Sequence, residues 1–362
     1  MAALLLAPVV PLLAEDAPVL RVKLEEPTPV NKNRFGLSYR MSFNVTAEFK
    51  NVGNVGRNPR GAGRDPGPAE GDSVDRFYDD GYNRVDISGN KDGLTWFWAY
   101  KNPSQIVGDT VVMHSSTATP INSKTTDDDP QHGFELTYNR ELGVCDNGWR
   151  WGVEGAFGWT DVDIHDRRPL AGGVMVIADG FNLGGIDPSH NIGNPPPPYA
   201  EDGPELHPGT LEGPGPLIES IPNRTTSRSA NGSQITGSRN FDANLWTYRL
   251  GPYIDVPIDD KWTFSFSAGA AIGVVEGDFS YRQAVTIGGT SRFQSGSGSS
   301  TDVVYGGYLS AMFRYAIDEH WGVFLGGQYL GLTSYDTKAD GQKVELDFAT
   351  TANATMGVSF SF

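Results

Sequence analysis

From Arg34 to Lys50 the chain runs RFGLSYRMSFNVTAEFK, and apolar and polar positions alternate almost without fault. Phe35, Leu37, Tyr39, Met41, Phe43, Val45, Ala47 and Phe49 share one parity; Gly36, Ser38, Arg40, Ser42, Asn44, Thr46 and Glu48 share the other. Side chains of a strand point to alternate faces, so a period of two predicts one strand with an oily face and a wet face. About fifteen residues is roughly twice the usual strand length in globular proteins.

The same period recurs downstream. Trp149, Trp151, Val153, Phe157 and Trp159 align on one face, as do Trp262, Phe264, Phe266, Ala268, Ala270, Ile272 and Val274. Val303, Tyr305, Leu309, Ala311, Phe313, Tyr315 and Ile317 form another set, and Trp321, Val323, Leu325 and Tyr329 the next. The last run aligns Val344, Leu346, Phe348, Ala352, Ala354, Met356, Val358, Phe360 and Phe362. Weaker patterns over 77–89, 94–103, 133–144 and 236–256 bring the expected total to about ten strands, with eight or twelve as alternatives.

The connections alternate in length. Short turns are expected at SGNKDG, CDNG, PIDD and DEH, and long loops near 52–79, 104–132, 165–235 and 279–301, with a shorter one near 335–342. Such sorting of short and long connections suits an up-and-down antiparallel meander whose two ends face different compartments. A bilayer offers no water to backbone groups, so a β-protein crosses it only as a closed barrel. The long alternating strands therefore predict a transmembrane antiparallel up-and-down β-barrel with an apolar outside and a polar inside.

Composition agrees and narrows the class. The 362 residues include 45 Gly and 24 Pro, with no apolar run long enough for a membrane helix. A formal charge of −16 excludes nucleic acid as a natural partner. The single cysteine, Cys145, makes no internal disulfide and no metal-ligand spacing. Residues 1–14, MAALLLAPVVPLLA, have the apolar core of a secretory signal peptide; no Lys or Arg precedes Arg21, so the leader is expected to be truncated at its start. Residues 15–33 are expected to be a periplasmic segment, and 34–362 the barrel.

Barrels carry aromatic girdles where the apolar band meets the headgroups. Trp149, Trp262 and Trp321 each open a strand after a short turn, and Tyr315 belongs at the same periplasmic level by strand direction. Trp159, Trp246, Tyr305 and Tyr329 fall near the opposite rim, together with Phe49. Polar positions expected to face the lumen are Arg40, Glu48, Glu135, Glu154, Arg249, Arg314, Gln328, Glu345, Asp347 and Asn353. Both charge signs occur among them, so ion pairs across the lumen are expected. Eight strands are just filled by side chains, while open porins need about 16. About ten should therefore admit water or small ions at most.

The chain closes on MGVSFSF, in which Val358, Phe360 and Phe362 keep the parity of the lipid-facing set. This ending resembles the terminal strand of Gram-negative bacterial outer-membrane β-barrels, and the plan is similar to small barrels of the OmpA type. YDDGYNRVDISGN followed by TWFWAYKNPSQ also resembles a recurring segment of poorly characterised barrels of this class. The resemblance implies the outer membrane as location. It implies the lipid bilayer as partner, and the barrel-assembly machinery during biogenesis, with the three terminal residues as the assembly signal. It brings no catalytic residues.

Function is then expected in the lumen or the loops. Segment 165–235 contains the Pro- and Gly-rich IGNPPPPYAEDGPELHPGTLEGPGPL, which cannot pair regularly as sheet. Loops of such length bind, cover or stay disordered. A structural or surface-binding role toward an external ligand is the leading expectation, a narrow porin-like channel the second. A hydrolase is the third: Asp161, Asp163 and His165 share a face, and Asp127, Asp128 and Asp129 could attract a cation, but neither group has a known metal-loop spacing. No catalytic residue, metal or cofactor is assigned.

Overall fold

The computed structural model describes residues 32–55, 75–84, 94–95, 97–188 and 217–362. The leader, nearly all of the segment 15–33, the SGNKDG turn and residues 189–216 of the Pro-rich stretch lie outside the described residues.

The first strands are β1 (Asn33–Phe43) and β2 (Thr46–Lys50). Short strands follow: β3 (Arg76–Phe77), β4 (Gly81–Asn83), β5 (Leu94–Thr95), β6 (Trp98–Tyr100) and β7 (Ile106–Val107). Next come β8 (Thr110–Ala118), β9 (Gln131–Val144), β10 (Arg150–Asp166), β11 (Leu170–Asn182) and the two-residue β12 (Ile218–Glu219). The three longest are β13 (Asn223–Pro257), β14 (Trp262–Ile287) and β15 (Thr290–Ala316). β16 (Trp321–Leu332), β17 (Tyr335–Ala339), β18 (Gln342–Asp347) and β19 (Thr351–Ser361) complete the series.

Eight of these close an antiparallel ring in the order β1, β9, β10, β13, β14, β15, β16, β19 and back to β1. Among the described residues the ring thus has about eight strands, the lower of the two alternatives to the expected ten. Within 77–89 and 94–103 the described residues supply strands of two or three residues, which pair outside the ring. They are too short to cross a membrane, which takes about 9–11 residues. Three short turns join ring strands at one end. Each is tied locally, as where Asp259 and Asp318 accept hydrogen bonds at 2.7 Å from the backbone of Trp262 and Trp321.

Two expected loops prove to be strand instead. Residues 279–301 continue as a paired hairpin out to Ile287 opposite Thr290. Gly288 and Gly289 form its tip with φ of 55° and 84°, as a two-residue hairpin turn demands. Within 165–235, β11 pairs with the first part of β13. The 35 residues of β13 thus exceed threefold the about 9–11 needed to span. Its excess, with β14, β15, β11 and β8, forms a tall sheet beyond the ring.

The alternation changes its meaning partway along each long strand. On β10, Val153, Phe157 and Trp159 face outward and Glu154 and Thr160 inward; above them Asp161 and Asp163 face outward and Val162 and Ile164 are buried. β13 repeats this: outward Tyr248 and Trp246 give way to Asn244 and Asp242, while inward Arg249 and Thr247 give way to Leu245, Ala243 and Phe241. Hydrocarbon outside and polar groups inside are thus replaced, one turn of the pattern later, by water outside and an apolar core inside.

The opening stretch makes the same exchange by breaking. Asn44, with φ of 60°, separates β1 from β2. Leu37 and Tyr39 are half exposed on the wall, whereas Val45, Ala47 and Phe49 are buried. Phe49 is therefore core, not girdle. It packs on Phe279 with ring centres 5.7 Å apart.

Candidate functional site

The lumen is filled in three levels. At the short-turn end, Asp255 of β13 accepts from Arg34 of β1 at 2.8 Å, from Arg314 of β15 at 3.3 Å, and from Ser265. At mid-barrel Arg249 meets Glu135 at 2.7 Å and Glu154 at 3.6 Å, while Arg40 meets Glu135 at 3.4 Å. Asn139 and Ser267 donate to Glu154 at 2.8 Å each, Arg40 donates to Thr160, and the Arg249 guanidinium lies 4.3 Å from the Tyr308 ring centre. The mid-barrel side chains and Asp255 are almost fully buried, and Arg34 and Arg314 are mostly so. Charges so enclosed need such partners, because removing one leaves the other unpaired in a low-dielectric interior. The void between these two levels measures about 10 Å³, roughly the space of one water.

The third level is apolar. Val162, Ile164, Phe241, Leu245, Val275, Phe279, Val304 and Leu330 of the ring strands pack with Phe49, Tyr335, Val344 and Leu346 from the β17–β18–β2 sheet and with Phe348 just after it. That sheet lies over the ring like a lid, held by Tyr335, which donates to the backbone oxygen of Ser300 at 2.7 Å. Above it Arg239 and Asp166, both wholly buried, pair at 3.1 Å.

Of the ten residues assigned to the lumen, Arg40, Glu135, Glu154, Arg249, Arg314, Gln328 and Asn353 lie on the inner wall. Glu48, Glu345 and Asp347 do not. Glu48 and Glu345 sit opposite each other across β2 and β18, on the wet face, with Lys50 between them at 3.3 and 2.8 Å, and Asp347 is exposed. They follow the strand parity, but above the membrane that parity leads outward. The Glu345 carboxyl is held below its ordinary pKa, chiefly by the hydrogen bond from Lys50. Arg34, Asp255, Tyr308, Asp166 and Arg239 escaped the sequence reading; for Asp255 the signal was its inward parity with Arg249 on one strand.

The girdle residues fall at two levels. Trp149, Trp262 and Trp321 stand exposed at the short-turn rim, and Trp262 is registered against Tyr315 with ring centres 4.8 Å apart. Trp159 is registered against Trp246 at 6.1 Å, and Tyr305 and Tyr329 are exposed toward the other rim. Their polar tips point away from the apolar belt: Trp159 donates to Asn244 at 2.9 Å and Tyr329 to the backbone oxygen of Ala349 at 2.6 Å. Val358 and Phe362 lie exposed beside β1, with Phe360 partly covered.

The hydrolase candidates gather outside the wall, just past the upper girdle. His165 contacts Asp163 at 2.7 Å, and Asp163 is registered opposite Asp242. Asp128 and Asp129 accept from the backbone of His165 and Asn44 and so tie the 119–130 segment to the barrel. Among the described residues no group of three or more His, Cys, Asp or Glu is arranged to hold a metal ion.

A second apolar cluster, Tyr78, Trp98, Val111, Met113, Phe181, Leu183 and Ile218, lies on the tall sheet beyond the ring. Tyr78 donates to the buried Asp179 at 2.5 Å, and Arg224 clamps the same carboxylate at 2.6 and 2.7 Å. Burial, followed by the Asp179 contact, pushes the Tyr78 hydroxyl far above its ordinary pKa.

A closed antiparallel ring with a belt of Phe35, Leu37, Leu136, Leu250, Ile272, Leu309 and Leu325 outside and ion pairs within is a transmembrane β-barrel of the bacterial outer-membrane class. A closed barrel with such a belt is the form in which β-proteins cross a bacterial outer membrane. No protein-family model and no curated protein matches the chain. Solved structures similar to it include Ail of Yersinia pestis, with 11% identity, 91% of this chain and 99% of that chain covered, and a TM-score of 0.24. OmpT of Escherichia coli, an outer-membrane protease, matches at 10% identity over 94% and 99%, with a TM-score of 0.31. A Pseudomonas aeruginosa FadL homologue matches at 10% over 92% and 90%, with a TM-score of 0.17. Scores of this size carry no argument about role; the class stands on the ring and its belt.

Proposed function

We propose that this protein is a solute-tight outer-membrane anchor that presents its tall extracellular sheet as a binding surface. The observation that carries this is the stacked filling of the lumen: two charge layers around a 10 Å³ void, capped by an apolar lid. A path for ions would have to displace paired, buried charges and then cross hydrocarbon-like packing, at a cost of several kcal/mol at each level. The long strands β13, β14 and β15, by contrast, hold a rigid surface well clear of the membrane, where binding residues are usefully placed.

Planar-bilayer recording of the purified protein tests the first half: no steady conductance steps are expected. A narrow channel is the competing reading, favoured by the charged vestibule of about 460 Å³ at the short-turn mouth, and steady steps would establish it instead. The second half is tested in cells. Replacing Arg282–Ser295 with a two-residue turn, which keeps Phe279 and Tyr281 in the core, should leave insertion intact and abolish adhesion to whichever surface the full protein binds in a glycan and matrix-protein panel. Equal binding by both forms would reject the sheet as the working part.

A further inference from the structure

We propose that the short-turn mouth of the barrel holds a site for a small oxyanion, a carboxylate or phosphate group, bound by Arg314 and Arg34. The site lies where the enclosed charges fail to balance. At mid-barrel two arginines, Arg40 and Arg249, face two carboxylates, Glu135 and Glu154. One level nearer the short turns, Arg34 and Arg314 share the single carboxylate of Asp255, at 2.8 and 3.3 Å. Among the described residues the two charge layers thus hold four arginines and three carboxylates, and the surplus cation belongs to the lower layer.

Asp255 does not satisfy both guanidiniums. Its oxygens also accept from Ser265, Arg314 reaches it through Nη1 alone, and Nη2 of Arg34 is buried without a hydrogen-bond partner. Arginine keeps its proton, so a shielded surplus of this kind is answered by an anion or by water.

The surplus opens on a cavity. Arg34 and Arg314 line the vestibule of about 460 Å³, beside the neutral hydrogen-bonding groups of Tyr253, Thr263 and Ser359. That volume falls within the range of about 300–1,000 Å³ usual for ligand pockets. The vestibule ends blind, because the void beyond the two arginines measures about 10 Å³. Farther out, the cations Lys32, Arg150 and Lys261 stand with the carboxylates Glu141, Asp260, Asp318 and Glu319, most of them exposed. Water and salt screen those mouth charges, whereas Arg34, Arg314 and Asp255 are mostly shielded. A guanidinium fork matches the paired oxygens of carboxylate and phosphate, while a halide offers a single acceptor point. The head group therefore seats against the arginines, with any organic remainder in the wider mouth.

Calorimetric titration of the full-length protein in detergent at neutral pH tests this, together with the temperature at which compact gel migration is lost. Sodium acetate, sodium phosphate and sodium chloride are compared at matched ionic strength. Wild type is expected to give a one-site binding heat with an oxyanion and a transition temperature above its chloride value. A response to acetate alone or to phosphate alone sustains the site and identifies its head group. Arg314→Gln leaves Arg34 and Asp255 as a one-to-one pair. It should weaken oxyanion binding about tenfold or more, as expected for loss of a charge-assisted contact, and leave the chloride transition temperature unchanged or higher. Arg34→Gln, which leaves Arg314 with Asp255, should behave alike. A fall in the chloride temperature in both variants would mean that no surplus charge exists and would overturn the site. So would equal titration heats for wild type and the two variants, or a wild-type response to oxyanions no greater than to chloride.

Discussion

Arg249 touches two carboxylates that are almost wholly buried. Glu135 and Glu154 are both nearly buried, and its guanidinium reaches each of them while lying on the Tyr308 ring. Truncating one partner of such a buried pair typically costs about 3–5 kcal/mol, because the other charge stays behind. Arg249→Met should therefore lower the temperature at which the barrel loses its compact gel migration, and Arg249→Met with Glu154→Gln, which leaves Glu135 paired with Arg40, should recover much of the loss. Tyr78 offers a pH test at the same scale. Its folded pKa is raised, so its contribution is complete below the unfolded value of about 10 and declines as pH rises above it. Proteolysis between residues 75 and 118 should thus accelerate above about pH 10 while the ring stays intact, and Tyr78→Phe should abolish that alkaline step. At neutral pH the same variant removes one donor from Asp179 and should cost about 1–3 kcal/mol of local stability.

At the scale of the element, each long strand is two amphipathic strands of opposite sense joined end to end. The joint on β10 falls between Trp159 and Val162. Below it an inward carboxylate is matched by arginines, and above it the interior is apolar. Val162→Asp should consequently cost several kcal/mol and prevent insertion, whereas Asp161→Ser, one residue away on the water side, should stay within about 0.5 kcal/mol. Refolding yield in detergent measures both. The β14–β15 hairpin permits a topological test. Its Gly288–Gly289 tip has no side chain and lies at the far end of the longest strands, so an epitope inserted there should be labelled on intact cells. Labelling only after lysis would reverse the assigned orientation.

Over the whole molecule, the ring, the charge layers and the lid form one column, and the tall sheet with its second core stands beside and above it. Closing the ring leaves no free edge within the membrane, and β13 is the pivot because it serves two sheets. Its lower part pairs with β10 and β14, and its upper part with β11. The proposed solute tightness rests on the column rather than on any single residue. Removing the lid by replacing residues 334–348 with a short turn should therefore still give no steady conductance, as long as Arg249, Glu135 and Glu154 remain paired.

The chain by itself settled the periodicity, and with it the β class and the parity of the lower wall, since both depend only on neighbours two residues apart; the antiparallel meander was legible in the alternating lengths of the connections. It also placed Arg40, Glu135, Glu154 and Arg249 on the parity that tertiary structure closes into one cluster. What it could not settle was which solvent each face of an alternating run meets. The same pattern serves hydrocarbon from Phe35 to Met41 and a protein core from Val45 to Phe49, and the break at Asn44 is silent in a binary code. The closure at eight strands, the conversion of 279–301 from loop to hairpin and the outward turn of Glu48 and Glu345 were likewise decided in three dimensions. Partners hundreds of residues apart set them, because pairing and burial are long-range whereas alternation is local.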